Sequence, residues 1–243
     1  MLPVDLTDTL ALHAPRRSPT SLMQLAILGR AIGLQPGQRV VDFGCGYGEA
    51  LVLWASCFGV SGLGLDSNPD FFARAQALAT AHGMQHLVRI LHADASTYDC
   101  GSERFDLTAC IGASGLWGGF GPALRAMRPI LTPAGRAVIG EPYYTTSEVP
   151  PGLLDYEGPF HTEQELFELA NTAGFDVGYV ARSSQAEWDA YAANWTADIQ
   201  RLGALNDPTE QLRLRQGLRR QQRIYNEYRQ QFQRFALYAL YPV

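Results

Sequence analysis

Three glycines at alternate positions, with an acidic residue on each side, form the stretch of this sequence best suited to chemistry. Gly44, Gly46 and Gly48 lie between Asp42 and Glu49. Glycine adopts backbone angles that other residues rarely reach, and it brings no side chain to block a ligand. The stretch therefore predicts a tight turn whose backbone N–H groups are presented to a bound small molecule.

The residues on either side predict a strand before the turn and a helix after it. Residues 39–43 contain the β-branched Val40 and Val41, which suit a strand covered on both faces. From Tyr47 onwards a broad apolar helix face follows, formed by Ala50, Leu51, Leu53, Trp54, Ala55 and Phe58. A strand, a glycine turn and a helix N-terminus together make a ligand-binding unit.

Two classes of ligand use such a unit: dinucleotides and S-adenosylmethionine (SAM). The dinucleotide pattern requires a small residue where this chain has Glu49, and a carboxylate in the first helical turn would repel a pyrophosphate. Asp42 and Glu49 instead suit a ligand that carries an ammonium and a sulfonium group. Its carboxylate would then bind the N–H groups of the turn.

Acidic residues also end the next two predicted strands. Asp66 follows residues 61–65, and its carboxylate can accept hydrogen bonds from two ribose hydroxyls, although NAD-binding proteins place an acid there as well. Residues 87–94 read as a third strand that ends at Asp94, which can accept from an adenine amino group. The backbone N–H of Ala95 can donate to the adenine ring.

With these motifs in order, the chain resembles the class I (Rossmann-like) SAM-dependent methyltransferases over roughly residues 20–183. Asp42-x-Gly44-Cys45-Gly46-x-Gly48 is similar to the first motif of that family, and residues 105–107 are similar to its fourth strand. Residues 131–135 resemble the turn before its fifth strand, where a second glycine is more usual. The resemblance implies a SAM site formed by Asp42, Gly44, Cys45, Gly46, Gly48, Asp66, Ser67, Asp94, Ala95, Ile111 and Gly112.

The same resemblance implies an α/β fold with a doubly wound, mostly parallel seven-stranded sheet. We expect the last strand to be antiparallel and a helical cap to be inserted between strands six and seven. The chain would be a single methyltransferase domain: arm and helix 1–34, SAM-binding core 35–183, helical insertion 184–232 and last strand 233–243. Ligands of open α/β sheets bind at the carboxyl ends of the strands, so the site is expected there.

Several local features are predicted with explicit bounds. The pattern predicts a helix over about 122–130, a fifth strand over 136–140 and a last strand over 235–241. Residues 145–160 are rich in proline and glycine and predict a loop. Thr162 and Glu165 have the spacing of a capping box at the start of a helix.

Glu141, Tyr143 and His161 are the candidate catalytic residues. Glu141 and Tyr143 follow the fifth predicted strand, where a carboxylate could act as a general base, and His161 follows the proline-rich segment. A purely structural role is the competing interpretation for each. Trp117 either lines the cleft or anchors a loop in the core. His92, beside the acid of the third strand, and His13, in the arm, are weaker candidates.

Residues 185–231 interrupt the alternation of strands and helices. Trp188, Tyr191 and Trp195 share one helical face, which packs in a core or forms a cage for a cationic substrate. A later helix, predicted to start near Asp207, carries a set of arginines that suits either a solvated face or nucleic acid, namely Arg213, Arg215, Arg219, Arg220, Arg223 and Arg229.

Composition narrows the classes of function. The 243 residues are 47% hydrophobic, without an apolar run of the ~20 residues that a membrane span needs, so no membrane partner is expected. The four cysteines show no C-x-x-C spacing, which indicates neither zinc nor a disulfide framework, and the start lacks the pattern of a signal peptide. We therefore expect a cytoplasmic protein. The net charge of −5 disfavours a polyanionic partner.

Together these features predict an enzyme that transfers a methyl group from SAM to a small-molecule acceptor and releases S-adenosylhomocysteine. Nucleic acid is an unlikely partner, and the sequence leaves the oligomeric state open. Three alternatives remain: an RNA methyltransferase that uses the arginine-rich helix, a non-catalytic SAM-binding protein, and an NAD-dependent oxidoreductase.

Overall fold

A computed structural model describes residues 18–158, 160–201 and 207–243, without the side chains of residues 195–201 and 210. Its sheet has seven strands: β1 Arg39–Phe43, β2 Ser61–Asp66, β3 Val88–His92, β4 Phe105–Ile111, β5 Leu131–Tyr144, β6 Phe175–Arg182 and β7 Gln233–Pro242. The arm with His13, and the side chain of Trp195, lie outside what is described.

Eight α-helices accompany these strands in the described part of the chain: α1 Leu22–Ala31, α2 Glu49–Phe58, α3 Pro69–Ala81, α4 Phe120–Met127, α5 Pro151–Glu157, α6 Glu163–Thr172, α7 Gln185–Arg201 and α8 Pro208–Ile224. Short 3₁₀ turns occupy Ser114–Trp117 and Arg128–Ile130, and a π-helix, Tyr225–Arg229, joins α8 to a last helical turn before β7.

The strand order is β3-β2-β1-β4-β5-β7-β6. The first five strands pair in parallel, and β7 runs antiparallel to both of its neighbours, β5 and β6. Helices α7 and α8 come between β6 and β7 in the chain. This architecture confirms the predicted doubly wound sheet with an antiparallel last strand and a helical insertion before it.

Both faces of the sheet are buried, as the β-branched β1 predicts. Val40 and Val41 have no exposed surface, and they belong to two different hydrophobic clusters because successive strand residues point to opposite faces. Trp54 of α2 is also fully buried, and its Nε1–H donates to Leu25 O at 2.9 Å. The sheet centre is therefore rigid support for the loops at its carboxyl edge.

Two local predictions differ from the structure in the middle of the chain. The segment expected as a loop contains α5, which starts at a proline and buries Leu153 completely. Strand β5 begins at Leu131 because Leu131 pairs with Phe105. The register between β4 and β5 shifts between Phe105 and Leu107, so residues 131–135, predicted as a turn, are part of the strand. Strand β5 also continues beyond Gly140 to Tyr144, because β7 pairs with it along that length.

Candidate functional site

The glycine turn after β1 adopts the backbone conformation that its composition predicts. Gly44, Gly46 and Gly48 have φ angles of 70°, 57° and 74°, in the left-handed region that favours glycine. A Cβ atom on Gly44 would lie 2.6 Å from the Cβ of Ala113. Glycine is therefore required at position 44 both by its backbone angle and by the close approach of the loop after β4.

The N–H groups of this turn donate mainly to the end of β2. Gly44 N and Cys45 N both donate to Leu65 O, at 2.8 and 3.0 Å, and Gly48 N donates to Cys45 O at 2.9 Å. The structure thus differs from the prediction that these N–H groups bind the carboxylate of a ligand. The reason is that β2 ends beside the turn and supplies the acceptors itself.

Asp66 joins the turn to the next loop. Its Oδ2 accepts from Gly46 N and its Oδ1 accepts from Asn68 N, both at 2.9 Å, and the residue is only 9% exposed. A carboxylate has about four acceptor positions. Asp66 can therefore hold both loops in place and still accept hydrogen bonds from a ligand.

A cavity of about 270 Å³ lies over this turn, and we call it the first cavity. Seven of the predicted SAM-site residues line it: Gly44, Gly46, Asp66, Ser67, Ala95, Ile111 and Gly112. Phe71, Ala113 and Leu116 line it as well and were not predicted. Phe71 lies in the first turn of α3, and the apolar character of the loop after β4 was the available signal for the other two.

Four predicted SAM-site residues are absent from this lining. Asp42 lies beneath the turn with 2% of its surface exposed. The Cys45 Sγ would be only 2.8 Å from a Cβ on Gly64, so the thiol packs against β2. Gly48 is the N-cap of α2, and a Cβ there would lie 3.1 Å from Ala75 Cβ. Asp94 Oδ1 accepts from Ser96 N and Oγ, which lower its pKa.

Two carboxyl groups near the site are buried and titrate far from their usual range. Burial, with a smaller contribution from Asp66, raises the pKa of Asp42 to about 7. Burial likewise raises the pKa of Glu141 to about 7, although a hydrogen bond with Ser114 opposes the shift. Asp42 Oδ1 and Glu141 Oε2 have no hydrogen-bond partner within the described ranges.

A second cavity, of about 170 Å³, adjoins the first because Gly112 lines both. The residues that form it come from six separate parts of the chain: Ser18, Pro19, Gly112, Pro142, Glu157, Trp188, Tyr191, Arg229, Gln233 and Phe235. Trp188 stacks on Tyr225, with centroids 6.2 Å apart, and meets Tyr191 edge to face at 6.0 Å. The predicted aromatic face of α7 thus both packs in the core and lines a cavity.

The candidate catalytic residues are not brought together around Gly112. Tyr143 lines a different cleft with Thr162 and Glu163, where burial is the largest cause of its raised pKa. His161 is exposed, and its backbone oxygen accepts from Tyr144 N at 2.9 Å. Glu141 is buried, with 7% of its surface exposed, and lines neither of the two adjoining cavities.

Other predicted site residues also have protein contacts. Trp117 packs edge to face on Phe43, with centroids 5.2 Å apart, and lines neither adjoining cavity. His92 Nε2 lies 2.9 Å from Ser67 O, at the rim of the first cavity. Within the described ranges no helix is long and apolar enough to cross a membrane, and no group of acidic, histidine or cysteine side chains is arranged to hold a metal ion. All four cysteines are unpaired.

The first cavity fits SAM on the chemistry of its lining. Asp66 supplies buried acceptors for ribose hydroxyls, and Gly44, Gly46 and Gly112 leave room along its floor. Phe71, Ala95 and Leu116 provide apolar surface of the kind that an adenine ring requires. No cationic side chain lines this cavity among the described residues, which agrees with a positively charged sulfonium and disfavours a diphosphate.

Comparison with known proteins agrees with this assignment. A sequence family described as "Methyltransferase domain" matches residues 40–135. The uncharacterised protein YjhP of Escherichia coli K12 is 34% identical over 184 residues, which cover 73% of this chain and 74% of YjhP. The crystal structure of YjhP superposes with a TM-score of 0.88 at 30% identity over 98% of both chains.

Two further solved structures carry ligand information. A SAM-dependent methyltransferase from Geobacter sulfurreducens, solved in complex with S-adenosylhomocysteine, has a TM-score of 0.87 and 30% identity over 100% of both chains. A phosphoethanolamine N-methyltransferase from Haemonchus contortus, in complex with phosphomonomethylethanolamine and S-adenosylhomocysteine, has a TM-score of 0.70 but only 19% identity, over 94% of this chain and 54% of that one. The second likeness is one of fold alone. The motifs, the sheet order and the relatives with 30% identity or more agree, and the chain therefore belongs to the class I SAM-dependent methyltransferases.

Proposed function

We propose that this enzyme transfers the methyl group of SAM to a small-molecule acceptor that binds in the second cavity. The observation that carries the proposal is the shared wall at Gly112, where the second cavity opens next to the first. A nucleophile in the second cavity would face a methyl group presented from the first. Bound SAM supplies that methyl group on an already activated sulfonium.

The size and lining of the second cavity support a small acceptor. Its volume of about 170 Å³ suits one small molecule, and its walls include the entry to α1, α5, α7 and β7. A methyl transfer of this kind depends mainly on alignment and on exclusion of water. Trp188, Tyr191 and Phe235 are suited to both tasks because they contribute apolar surface to the cavity walls.

The contacts of the arginine-rich helix add support for a small acceptor over nucleic acid. Arg220 and Arg229 lie over the ring of Tyr156, at 4.7 and 5.7 Å from its centroid. Arg223 is 4.0 Å from Glu227. These three arginines have roles within the protein itself.

In this proposal the first cavity holds the cofactor and the second cavity holds the acceptor. Asp66 binds the ribose hydroxyls of the cofactor, and Ser67, Phe71 and Ala95 surround its base. Gly112, which lines both cavities, and Ile111 beside it lie between cofactor and acceptor. Glu141, Tyr143 and His161 remain candidates for proton transfer, and their placement outside the second cavity favours positioning roles.

A substitution in the second cavity tests the proposal. Tyr191→Ala removes an aromatic wall of the second cavity without touching the first, so kcat/KM for the acceptor should fall about tenfold or more, the equivalent of losing one buried side-chain contact. The affinity for S-adenosylhomocysteine, measured by calorimetry, should stay within about twofold.

The matched control is Tyr179→Ala, because Tyr179 is half-buried on β6 and lines neither adjoining cavity. Acceptors are screened by S-adenosylhomocysteine release from a panel of small molecules and from RNA. Turnover of RNA with no turnover of any small molecule would contradict the proposal, as would an unchanged kcat/KM in Tyr191→Ala.

A further inference from the structure

One buried polar group of the second cavity has no protein partner within the described part of the chain. Trp188 is 5% exposed, and its Nε1 has no hydrogen-bond acceptor among the described residues. Gln233 is 2% exposed, begins β7 opposite Tyr144 and lines the same cavity with a side chain that can both donate and accept. Buried polar groups in native proteins are almost always hydrogen-bonded, so the unpaired Trp188 N–H on a cavity wall points to a ligand.

The remaining surface of the second cavity suits a flat apolar body. Trp188, Tyr191 and Phe235 contribute aromatic rings to the walls. The cavity volume of about 170 Å³ is close to the ~150 Å³ of an engineered apolar cavity that binds benzene in another protein. A single six-membered ring with one or two substituents therefore matches the space.

The charged groups in the wall neutralise each other. Arg229 Nε donates to Glu157 Oε1 at 2.6 Å, and the two side chains are only 11% and 13% exposed. A charged ligand would meet a wall in which the Arg229 and Glu157 charges are already paired with each other, and burial of an unpaired charge is strongly unfavourable. The second cavity therefore favours a neutral ligand over a cationic or an anionic one.

We infer that the methyl acceptor is a neutral, single-ring aromatic or heteroaromatic compound whose oxygen or ring nitrogen accepts from Trp188 Nε1–H, while Gln233 hydrogen-bonds its polar substituent. This inference rests on the proposed methyl transfer at the second cavity and specifies its substrate class. Trp188 and Gln233 are the specificity-determining residues. The aromatic face of α7 is then a neutral ring site and not a cage for a cation.

The reaction of such an acceptor balances without a further co-reactant. A lone pair on its oxygen or nitrogen forms the new bond to the methyl carbon, while the carbon–sulfur bond breaks and its electron pair stays on sulfur. For a hydroxyl acceptor the proton then leaves to water. The products are the methylated ring and S-adenosylhomocysteine.

Three probes with one benzene ring and substituents of different charge test the inference on the full chain saturated with S-adenosylhomocysteine. Benzamide is neutral, benzoate is anionic and benzylammonium is cationic at pH 7. Calorimetry should give benzamide an affinity about tenfold or more above either charged probe, because only the charged probes must be desolvated without a partner.

Two variants locate the polar contacts. Gln233→Met keeps the length of the side chain and removes its carboxamide, and Trp188→Phe keeps an aromatic ring and removes its N–H. Each should weaken benzamide binding about tenfold, the usual effect of one lost hydrogen bond in a buried site. Gln231→Met is the matched control because Gln231 is exposed and lies outside the second cavity.

The outcomes separate this inference from the proposal beneath it. Tighter binding of benzylammonium or benzoate, or unchanged benzamide affinity in both variants with S-adenosylhomocysteine affinity retained, would overturn the neutral-ring inference. Methyl transfer to amines or carboxylates but not to phenols or hydroxypyridines would do the same while the small-molecule function stands. Methyl transfer to RNA alone, with no small acceptor of any charge turned over, would overturn both.

Discussion

Asp66 shows how one side chain serves the fold and the site together. It accepts hydrogen bonds from the glycine turn and from the loop after β2, and it also lines the first cavity. Its position directly after a buried strand was enough to predict it as the ribose-binding acid. The two structural hydrogen bonds were not predictable, because they depend on how β1 and β2 end beside each other.

Substitution of Asp66 should separate cofactor affinity from the rest of the enzyme. Asp66→Ala leaves the ribose hydroxyls without their acceptor, so S-adenosylhomocysteine binding should weaken by ~1–3 kcal/mol in calorimetry. Asp70→Ala, at an exposed position four residues later, is the control. An affinity equal to that of the unaltered protein would rule out the assignment of Asp66.

Asp42 should make stability depend on pH. Its folded-state pKa is about 7, above the usual aspartate value of 3.8, so the native state holds a proton that the unfolded chain releases. The free energy of unfolding should therefore fall as pH rises from about 4 to about 7 and stay low above that range. Glu141, with a pKa also raised to about 7, should add to the same trend.

Asp42→Asn removes this ionisation and should flatten the pH dependence, which urea titrations at pH 5 and pH 8 measure directly. Relative to the unaltered protein at the same pH, the free energy of unfolding of the variant should increase more at pH 8 than at pH 5. Asp176→Asn is the control at an exposed position. A variant that loses the same stability as the unaltered protein between the two pH values would show that Asp42 is not the titrating group.

At the scale of single elements, local signals were reliable where a specific side chain begins or ends the element. The capping box is an example: Glu165 N donates to Thr162 Oγ1 at 3.3 Å, and Thr162 N donates to Glu165 Oε2 at 2.6 Å. Helix α6 begins at Glu163, directly after this cap, as predicted. By contrast, the helix α5 was missed because its prolines and glycine predict a loop.

Removal of the cap should destabilise the protein without altering either adjoining cavity. Thr162→Ala leaves an N–H group of α6 unpaired, and the expected loss is about 1 kcal/mol in the free energy of unfolding. Thr172→Ala, at the exposed end of the same helix, is the control. Equal unfolding midpoints in urea for the two variants would contradict the role of the cap.

At the scale of the whole molecule, the identity of the cofactor can be tested by its effect on the unfolding temperature. A ligand that binds only the native state stabilises it by mass action, by about 2.7 kcal/mol at a concentration of 100 Kd. S-adenosylhomocysteine should therefore raise the unfolding temperature in a concentration-dependent way. NADH at the same concentrations should leave it unchanged, because a diphosphate is disfavoured by Glu49 and by a first cavity that no cationic side chain lines among the described residues.

The unfolding temperature with each ligand, measured by scanning calorimetry, is the direct test. Tyr191→Ala is a useful reference because its first cavity is intact, so its stabilisation by S-adenosylhomocysteine should equal that of the unaltered protein. Stabilisation by NADH and none by S-adenosylhomocysteine would contradict the cofactor assignment.

The sequence by itself determined the strand, glycine turn and helix around Gly44, and the acid that follows β2. It could do so because backbone angles, burial periodicity and strand ends are local properties of a few consecutive residues. The same local signals were sufficient for the order of helices and strands, since each motif falls at the end of a strand.

Only the tertiary structure decided which side chains enclose the second cavity. Gly112, Trp188 and Gln233 are far apart in the chain and meet there because β7 inserts between β5 and β6 and α7 packs against the π-helix that precedes it. Tyr143 instead lines a different cleft, and His161 lines neither of the two adjoining cavities. Contacts of this kind depend on strand register and helix packing, which no short stretch of sequence contains.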